Sequence, residues 1–243
     1  DADAAGGRLR RGADHRAMPM TAHFVDRLRR AWQDRSMDDD RLTWIYSATS
    51  PEELAERYQQ WAAEYDSDLD GMQWLAPRAC AERCLHFAGH GAAVLDAGCG
   101  TGLVGLHLHE LGVGRLVGLD LSSAMLEQAA QRAVYDELHH GSLLDPLPYA
   151  RASFDAVVSV GVFTFGHVGP QGLAGLADVV RPGGHVTMTF RDDVVEELGY
   201  GAEARRLETI GAWRAIECTL PAPLIVEDGV GADMRVWTWQ VLG

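Results

Sequence analysis

Hydrophobic positions follow a helical spacing in the first part of the chain and a different spacing later. Before residue 91, apolar residues recur every three or four positions, as they do on one face of a helix. This spacing predicts helices over residues 21–32 and 73–88, and Gly89 and Gly91 mark the end of the second of these. Residues 1–20 lack any such spacing, so we expect them to form a flexible extension.

A further predicted helix, between these two, has the clearest start signal in the chain. Ser50 is followed by Pro51, and Glu53 stands three residues after Ser50, which is the spacing of a capping box. Its apolar face carries Leu54, Tyr58, Trp61, Ala62 and Tyr65. We expect this helix to end within residues 66–71, and the helices over residues 21–90 to form a cap on the domain that follows.

From residue 91 onward, short apolar runs alternate with helical segments. Residues 92–95 and 115–119 are predicted strands, with a glycine cluster and a predicted helix over residues 103–111 between them. A strand, a turn, a helix and a strand in this order form a βαβ unit, whose parallel strands are joined by a right-handed crossover. The sequence therefore predicts an α/β domain over residues 91–243.

The same alternation continues to the end of the chain. Further helices are predicted over residues 122–132, 171–180 and 202–211, and further strands over residues 136–140, 154–160, 185–190, 213–219 and 234–242. No helical pattern separates the last two strands, so we expect them to pair antiparallel. The predicted fold is a doubly wound α/β sheet of seven strands with its last strand antiparallel.

The turn after the first predicted strand carries most of the chemical information. Residues 94–102 read VLDAGCGTG, and the glycines allow a tight turn and a close approach of the backbone to a ligand. The N–H groups at the start of the following helix add a polar surface. Residues 100–105 also fit the dinucleotide pattern GxGxxG, so a nicotinamide-dependent oxidoreductase is one alternative. Asp96 argues against it, because a carboxylate there would repel a pyrophosphate and attract a cationic group.

The sequence DAGCGTG at residues 96–102 resembles the signature of class I S-adenosylmethionine (SAM)-dependent methyltransferases, which have a Rossmann-like fold. VGLDLS at residues 117–122, FDAVV at 154–158 and RPGG at 181–184 resemble later motifs of that family. Residues 58–66 and 160–168 are similar to the Williams–Beuren-region methyltransferase-like branch. The resemblance implies an enzyme that transfers a methyl group from SAM and leaves S-adenosylhomocysteine (SAH). A SAM-binding module with little catalysis is the second alternative.

The resemblance also implies which residues contact the cofactor. Asp96 would bind the methionine amino group directly or through water, Gly98 and Gly100 would make room, and Asp120 would accept hydrogen bonds from both ribose hydroxyls. The other positions expected at the cofactor are Thr101, Gly102, Leu121, Met125, Ser142, Leu143 and Val160. Ser142 stands where many relatives carry an aspartate, so its bond to the adenine would lack a charged acceptor.

Aromatic residues of the predicted cap offer a cover for the sulfonium. Tyr58, Trp61 and Tyr65 lie at helical spacing, so their rings could exclude water and make a cation–π contact with the cofactor. The same spacing is typical of ordinary core packing, and both interpretations stay open.

Three further residues and one histidine are candidates for the acceptor side. His167 follows the fourth predicted strand and could take a proton from an attacking oxygen or nitrogen, or be a structural histidine. Phe163 and Phe165 would line the acceptor pocket with it. Arg191 could hold an acidic substrate or form a surface ion pair with Asp192 or Asp193.

Net charge and cysteine content indicate which binding partners and which cellular compartment to expect. The chain has 21 basic and 35 acidic residues, a formal net charge of −14, which disfavours nucleic acid. We expect a small-molecule acceptor, no membrane segment, and a monomer or homodimer. Four cysteines are too few for a disulfide framework and fit a reducing cytoplasm. The histidine pairs 107/109 and 139/140 lack the helical spacing of metal ligands, so no metal is expected.

Overall fold

A computed structural model describes residues 44–45, 47–71, 74–164, 166–192, 194–223 and 233–243. The predicted extension and the predicted helix over residues 21–32 lie outside the described residues, as does Phe165. Among the described residues, no helix has the length and apolar content needed to cross a bilayer.

Two short helices, α1 (Pro51–Trp61) and α2 (Tyr65–Gly71), form what we call the helical cover. The capping box is present, because Ser50 Oγ accepts a hydrogen bond from the Glu53 N–H at 3.1 Å. The single helix expected here is two helices, since the chain turns at residues 62–64. Beyond the turn, Asp68 Oδ2 accepts a hydrogen bond from Trp61 Nε1 at 2.7 Å, which ties α2 back onto α1.

The next helix is α3 (Ala76–Ala88), and the first strand of the sheet is β1 (Ala93–Ala97). Among the described residues, four more helices and seven more strands follow them. They are α4 (Leu103–Glu110), β2 (Arg115–Asp120), α5 (Ser123–Gln131), β3 (Glu137–His140), β4 (Phe154–Ser159), α6 (Gly172–Val179), β5 (Val180–Arg191), α7 (Tyr200–Thr209), β6 (Trp213–Cys218), β7 (Ala222–Pro223) and β8 (Asp233–Val241). The third helix begins at Ala76, later than the expected residue 73, with Pro77 in its first turn.

The sheet has the strand order β3-β2-β1-β4-β5-β8-β6. Strands β1 to β5 are parallel, and β8 runs antiparallel between β5 and β6. The predicted seven-stranded α/β sheet with an antiparallel last strand is therefore confirmed. The two-residue strand β7, which pairs with β8, is an addition that the pattern did not predict.

Alternate residues of the strands build two hydrophobic layers, one on each face of the sheet. Leu95, Val117 and Val157 belong to the layer that packs against α6 and α7. Their neighbours Val94 and Leu116 belong to the other layer, which packs against α3 and α4. This two-residue period buries both faces, as expected for a doubly wound sheet.

The strand order reverses between β1 and β4, which are adjacent although β2 and β3 lie between them in sequence. In open α/β sheets, ligands bind at such a reversal, beyond the carboxyl ends of the strands. The helical cover lies near this point, because Gln59 Oε1 of α1 accepts from Ser123 Oγ of α5 at 3.2 Å.

Candidate functional site

A cavity with an empty volume of about 840 Å³, partly open to solvent, lies at the carboxyl ends of β1, β2 and β4. We call it the switch-point cavity. Gly98 and Gly100 line it from the turn after β1, and residues 119–122 line it from the end of β2. Leu54, Ala55, Tyr58 and Tyr65 of the helical cover close the opposite side.

The conformation of the turn after β1 favours glycine at residue 98. Its φ angle is +78°, and a Cβ atom there would lie 2.3 Å from Val162 Cγ2. The N–H groups of Gly98 and Cys99 both donate to the Leu119 carbonyl, at 2.7 and 3.0 Å. The turn is thereby fixed to β2, with its backbone facing the cavity.

Asp120, the last residue of β2, presents its carboxylate at the same edge. Its Oδ2 accepts from the Gly100 N–H and its Oδ1 accepts from the Ser122 N–H, both at 2.8 Å. Burial raises the pKa of Asp120 above its usual value, and these backbone bonds oppose the rise. A carboxylate has about four lone-pair sites, so each oxygen can still accept a hydrogen bond from a ligand.

Asp96 lies within strand β1, before the glycine turn, and does not line the switch-point cavity. Its side chain is fully buried, and Oδ2 accepts from the Tyr135 hydroxyl at 2.7 Å. Its Oδ1 has no hydrogen-bond partner among the described residues. Burial raises the pKa of Asp96 to about 7. The expected contact of Asp96 with the methionine amino group, directly or through water, stays a prediction.

Tyr135, the hydrogen-bond partner of Asp96, lines neither cavity and was not predicted from the sequence. It packs where three glycines leave room, and a Cβ atom at Gly105 would lie 2.2 Å from its hydroxyl oxygen. No motif contains Tyr135, since it stands in the connection between α5 and β3. The three glycines that contact Tyr135 in space are far from it in sequence, so they did not point to it.

Most of the other residues predicted at the cofactor line the switch-point cavity. They are Leu121, Met125, Ser142, Leu143 and Val160. Ser142 Oγ accepts a hydrogen bond from the Leu144 N–H at 3.1 Å, which holds this loop in a turn. Val162 and Val168 also line the cavity and were not predicted. Contact of the five predicted residues with a cofactor stays a prediction.

Thr101 and Gly102, both expected at the cofactor, lie in the turn but do not line the switch-point cavity. Thr101 Oγ1 donates to Asp66 Oδ1 of the helical cover at 2.5 Å. Arg132 binds the Thr101 carbonyl at 2.6 Å and also pairs with Asp66. Gly102 precedes α4 and faces Arg132 and Tyr135. These residues therefore fasten the cover to the glycine turn.

His167 and Tyr58 meet at the cavity. The Tyr58 hydroxyl lies 2.6 Å from His167 Nε2, and both residues line the switch-point cavity. The contact joins the helical cover to the loop after β4. A histidine and a phenol in this arrangement can accept and pass on a proton.

A second cavity, with an empty volume of about 580 Å³, adjoins the first, and we call it the aromatic cavity. Its aromatic lining consists of Tyr58, Trp61, Tyr65, Trp74 and Phe163. Leu69, Gly161, Thr164, Thr189, Arg191 and Met234 complete the lining. Trp61, expected at the cofactor, lines only this second cavity, whereas Tyr58, Tyr65 and Gly161 line both.

Arg191, expected on the acceptor side, ends β5 and lines the aromatic cavity. Its neighbour Asp192 is bound by Arg235, at 2.8 and 3.1 Å. Asp193 lies outside the described residues, so both expectations for Arg191, contact with an acidic substrate and a surface ion pair, stay predictions.

Comparisons with known proteins agree with this geometry. Residues 94–184 match a family model described as a methyltransferase domain. Methyltransferase-like protein 27 of Homo sapiens is 36% identical over 166 residues, which cover 65% of this chain and 67% of that protein. The chain belongs to the class I SAM-dependent methyltransferases. Its cofactor is therefore SAM, and the oxidoreductase alternative is set aside.

Two other relatives are methyltransferases with named substrates. The malonyl-acyl-carrier-protein O-methyltransferase of Pseudescherichia vulneris is 31% identical over 156 residues, 58% of this chain and 61% of that protein. The 18S rRNA (guanine-N(7))-methyltransferase of Bos taurus is 40% identical over 67 residues, 28% of this chain and 24% of that protein. The chain thus spans less than two thirds of either relative.

A methyltransferase solved in complex with the Haloferax volcanii Trm112 methyltransferase activator has the same fold. Its TM-score is 0.59 at 20% identity, over 76% of this chain and 98% of that one. Together with the rRNA-methyltransferase relative, it contradicts the expectation of no nucleic acid and of a monomer or homodimer. Net charge describes the whole molecule, whereas nucleic acid and protein partners bind local surfaces, so the value of −14 excludes neither.

The residues of this methyltransferase's switch-point cavity fit SAM. Asp120 keeps acceptor capacity for two ribose hydroxyls, and the open space beside Gly100 admits a ligand close to the backbone. The buried Oδ1 of Asp96, beneath the turn, has no hydrogen-bond partner among the described residues. The Asp120 carboxylate favours a cofactor that carries a sulfonium and an ammonium over one that carries a pyrophosphate.

Proposed function

We propose that this methyltransferase transfers the methyl group to a small-molecule acceptor held in the aromatic cavity, beneath the helical cover. The observation that carries the proposal is the wall shared by the two cavities, formed by Tyr58, Tyr65 and Gly161. Because the two cavities meet at these residues, a methyl donor in one cavity and an acceptor in the other would be neighbours.

The switch-point cavity would hold the cofactor, which supplies an electrophilic methyl group on a positively charged sulfur. We expect Asp120 to accept from the ribose hydroxyls, and Leu121, Met125 and Leu143 to pack around the adenine. The glycine turn at residues 98–100 would leave room for the methionine part. The wall residues Tyr58 and Tyr65 would stand beside the sulfonium, where aromatic faces attract a cation.

The protein's own contribution is alignment, exclusion of water and proton transfer. An in-line displacement at an activated carbon gains about 7–11 kcal/mol from positioning alone. The buried ring of Trp61 and the partly buried ring of Tyr58 would keep water from the methyl-transfer path. We expect His167 to take the proton that an oxygen or nitrogen acceptor loses.

The experiment is to incubate the full chain with SAM and separate acceptor sets, and to measure SAH and methylated product by mass spectrometry. The sets are small phenols, carboxylic acids, amines and thiols, an rRNA fragment, and an acyl thioester of a carrier protein. Asp120→Ala serves as the control that should not bind SAM. We expect methylation of a small molecule, lost in the control. Methylation confined to the RNA or to the carrier-bound acyl group, or to none of the sets, contradicts the proposal.

A further inference from the structure

Two side chains of the aromatic cavity carry buried hydrogen-bond donors that lack a partner. Thr164 is only 7% exposed, and its Oγ1 has no hydrogen-bond partner among the described residues. The same holds for the buried Nε1 of Trp74. Both residues line the aromatic cavity. A buried donor without a partner costs stability, so two of them at one cavity indicate a ligand that accepts their hydrogen bonds.

The indole of Trp74 lies against the wall that the two cavities share. Gly161 has a φ angle of +72°, and a Cβ atom there would lie 3.3 Å from Trp74 Cζ2. The Gly161 N–H donates to Thr189 Oγ1 at 3.0 Å, which fixes this stretch of backbone to β5. Because Gly161 also lines the switch-point cavity, a ligand group bound at Trp74 would lie near the methyl donor.

Thr164 is held in place by its backbone and not by its hydroxyl. Its carbonyl accepts hydrogen bonds from the Tyr200 hydroxyl at 3.2 Å and from the His167 N–H at 3.3 Å. Tyr200 is itself buried in the core. The position of the Thr164 side chain is therefore fixed before a ligand binds, and its hydroxyl proton can be donated to that ligand.

The two donors and their surroundings favour an uncharged group on the ligand. A carbonyl oxygen has two lone pairs, so it can accept from an indole N–H and a hydroxyl at once. Leu69, Phe163 and Met234 add buried apolar surface to the lining, where an uncompensated charge is costly. Arg191 also lines the cavity, but it has an interaction of its own and does not supply a free cation for a ligand carboxylate.

We infer that the acceptor is a neutral carbonyl compound, whose carbonyl oxygen accepts hydrogen bonds from Trp74 Nε1 and Thr164 Oγ1, an inference that rests on the proposed function. Ketones, esters and amides share this group. Both donors gain on binding the partner that they lack in the free protein. A ligand with a methylene in place of the carbonyl loses both bonds and keeps the apolar contacts. Trp74 and Thr164 thus determine which acceptors bind.

Calorimetry on the full chain saturated with SAH measures this selectivity without turnover. The probes are 4-hydroxyacetophenone, the analogue 4-ethylphenol, in which a methylene replaces the carbonyl, and the charged 4-hydroxybenzoate. We expect the ketone to bind at least tenfold more tightly than either of the other two. Thr164→Val and Trp74→Phe should each lower the affinity for the ketone at least fivefold. The affinities for 4-ethylphenol and for SAH should stay within twofold of the native values.

Thr187→Val is the matched control, because the fully buried Thr187 hydroxyl is bound to the Thr238 hydroxyl at 3.3 Å and lines neither cavity. It should lower the midpoint of urea unfolding and leave ketone affinity unchanged. Thr164→Val should leave that midpoint unchanged or raise it, since a donor without a partner is removed. Trp237→Phe, which also lies outside both cavity linings, is the control for loss of an indole.

Equal affinity for the ketone and 4-ethylphenol overturns the inference, as does tighter binding of 4-hydroxybenzoate or failure of the ketone to bind. A loss of stability in Thr164→Val as large as that in Thr187→Val also overturns it, because the Thr164 hydroxyl would then have a partner within the protein. Preferential ketone binding without methylation of any small molecule contradicts the proposed function. Small-molecule methylation without a preference for the ketone contradicts only the carbonyl site.

Discussion

The two cavities are built in different ways. The switch-point cavity takes its glycine turn and its acidic side chain from residues 98–122, in which the Gly100 and Ser122 N–H groups hold the Asp120 carboxylate. The aromatic cavity takes its side chains from α1, α2, β5, β8 and the loop after β4. Backbone groups need only a local turn to be placed, whereas side chains from distant segments need the whole fold. Changes near Asp120 should therefore act on the switch-point cavity, whereas changes at Tyr58 or Tyr65 of the cover should act on both cavities.

The largest expected effect is that of Asp120→Ala on cofactor affinity. Two charge-assisted hydrogen bonds, each worth about 1.5–3 kcal/mol, would be lost, so the dissociation constant for SAH should rise by tenfold or more. Calorimetry on the folded variant measures it. Asp178→Ala, at an exposed carboxylate paired with Arg151 away from both cavities, is the matched control. Equal SAH affinity of the Asp120 variant and the native chain would remove Asp120 from the site.

The next effect is the pH dependence of the free energy of unfolding that buried Asp96 causes. Because burial raises the pKa of Asp96 to about 7, well above the usual value of an aspartate, the folded state keeps a proton at pH values where the unfolded state has lost it. Stability from this group is therefore complete below about pH 4 and falls as pH rises towards 7, by up to about 1.4 kcal/mol per unit. The groups that face Asp96 are Tyr135, Cys80, Cys84, Cys99 and Asp120.

Asp96→Asn removes this titration, so its free energy of unfolding should vary less with pH between 4 and 7. Urea unfolding at four pH values measures the slope, with Asp178→Asn as the control for loss of one carboxylate. An unchanged slope in Asp96→Asn would mean that Asp96 is ionised throughout this range. The cavity lining is not altered by this substitution, because Asp96 does not contribute to it.

A smaller effect tests the close approach at Gly98. Gly98→Ala should cost about 1–3 kcal/mol more than Gly89→Ala, because both glycines have positive φ but only a Cβ at residue 98 meets Val162. Urea unfolding gives both values. The double variant Gly98→Ala/Val162→Ala should recover part of the difference. Equal losses at residues 98 and 89 would show that the turn can shift away from Val162.

The smallest effect concerns the fastening of the helical cover. Asp66→Asn removes the ion pair with Arg132 and weakens the bond to Thr101, at a cost of roughly 0.2–1 kcal/mol for a partly exposed pair. We expect faster amide exchange in residues 51–71 with nearly unchanged global stability, and slower exchange there when SAH is added. Glu82→Gln, which breaks the exposed pair with Arg78, is the control. If SAH protects only residues 98–102 and 120, the cover does not respond to the cofactor.

Several features of the fold and site could be predicted from the chain alone. The alternation of apolar runs and helical segments predicted the sheet, since burial on both faces imposes that pattern. The acid-and-glycine motif indicated the turn after β1, because few residues tolerate the φ of +78° at Gly98. Asp120 was found in the same way, at the end of an apolar run. Each of these signals is local, a matter of neighbouring residues.

Other features could not be predicted, because they depend on residues far apart in sequence. Tyr135 carries no motif, and its bond to Asp96 exists only because three glycines leave it room. Thr101 was expected at the cofactor but binds Asp66, since the cover packs on that face of the turn. The break between α1 and α2 was also missed, because the bond from Trp61 to Asp68 stabilises it from the other side of the turn.

The sequence by itself therefore determined which segments form strands and helices, the glycine turn, and the carboxylate beside that turn. It did so through backbone conformation and the local spacing of apolar residues. Only the tertiary structure decided that Asp96 is buried beneath the turn, that Tyr58 reaches His167, and that Trp61 and Arg191 border one cavity. The physical reason is that long-range packing selects among the partners that local chemistry allows. Which donors and rings face each other is settled by how the helical cover and the sheet bury their apolar surfaces together.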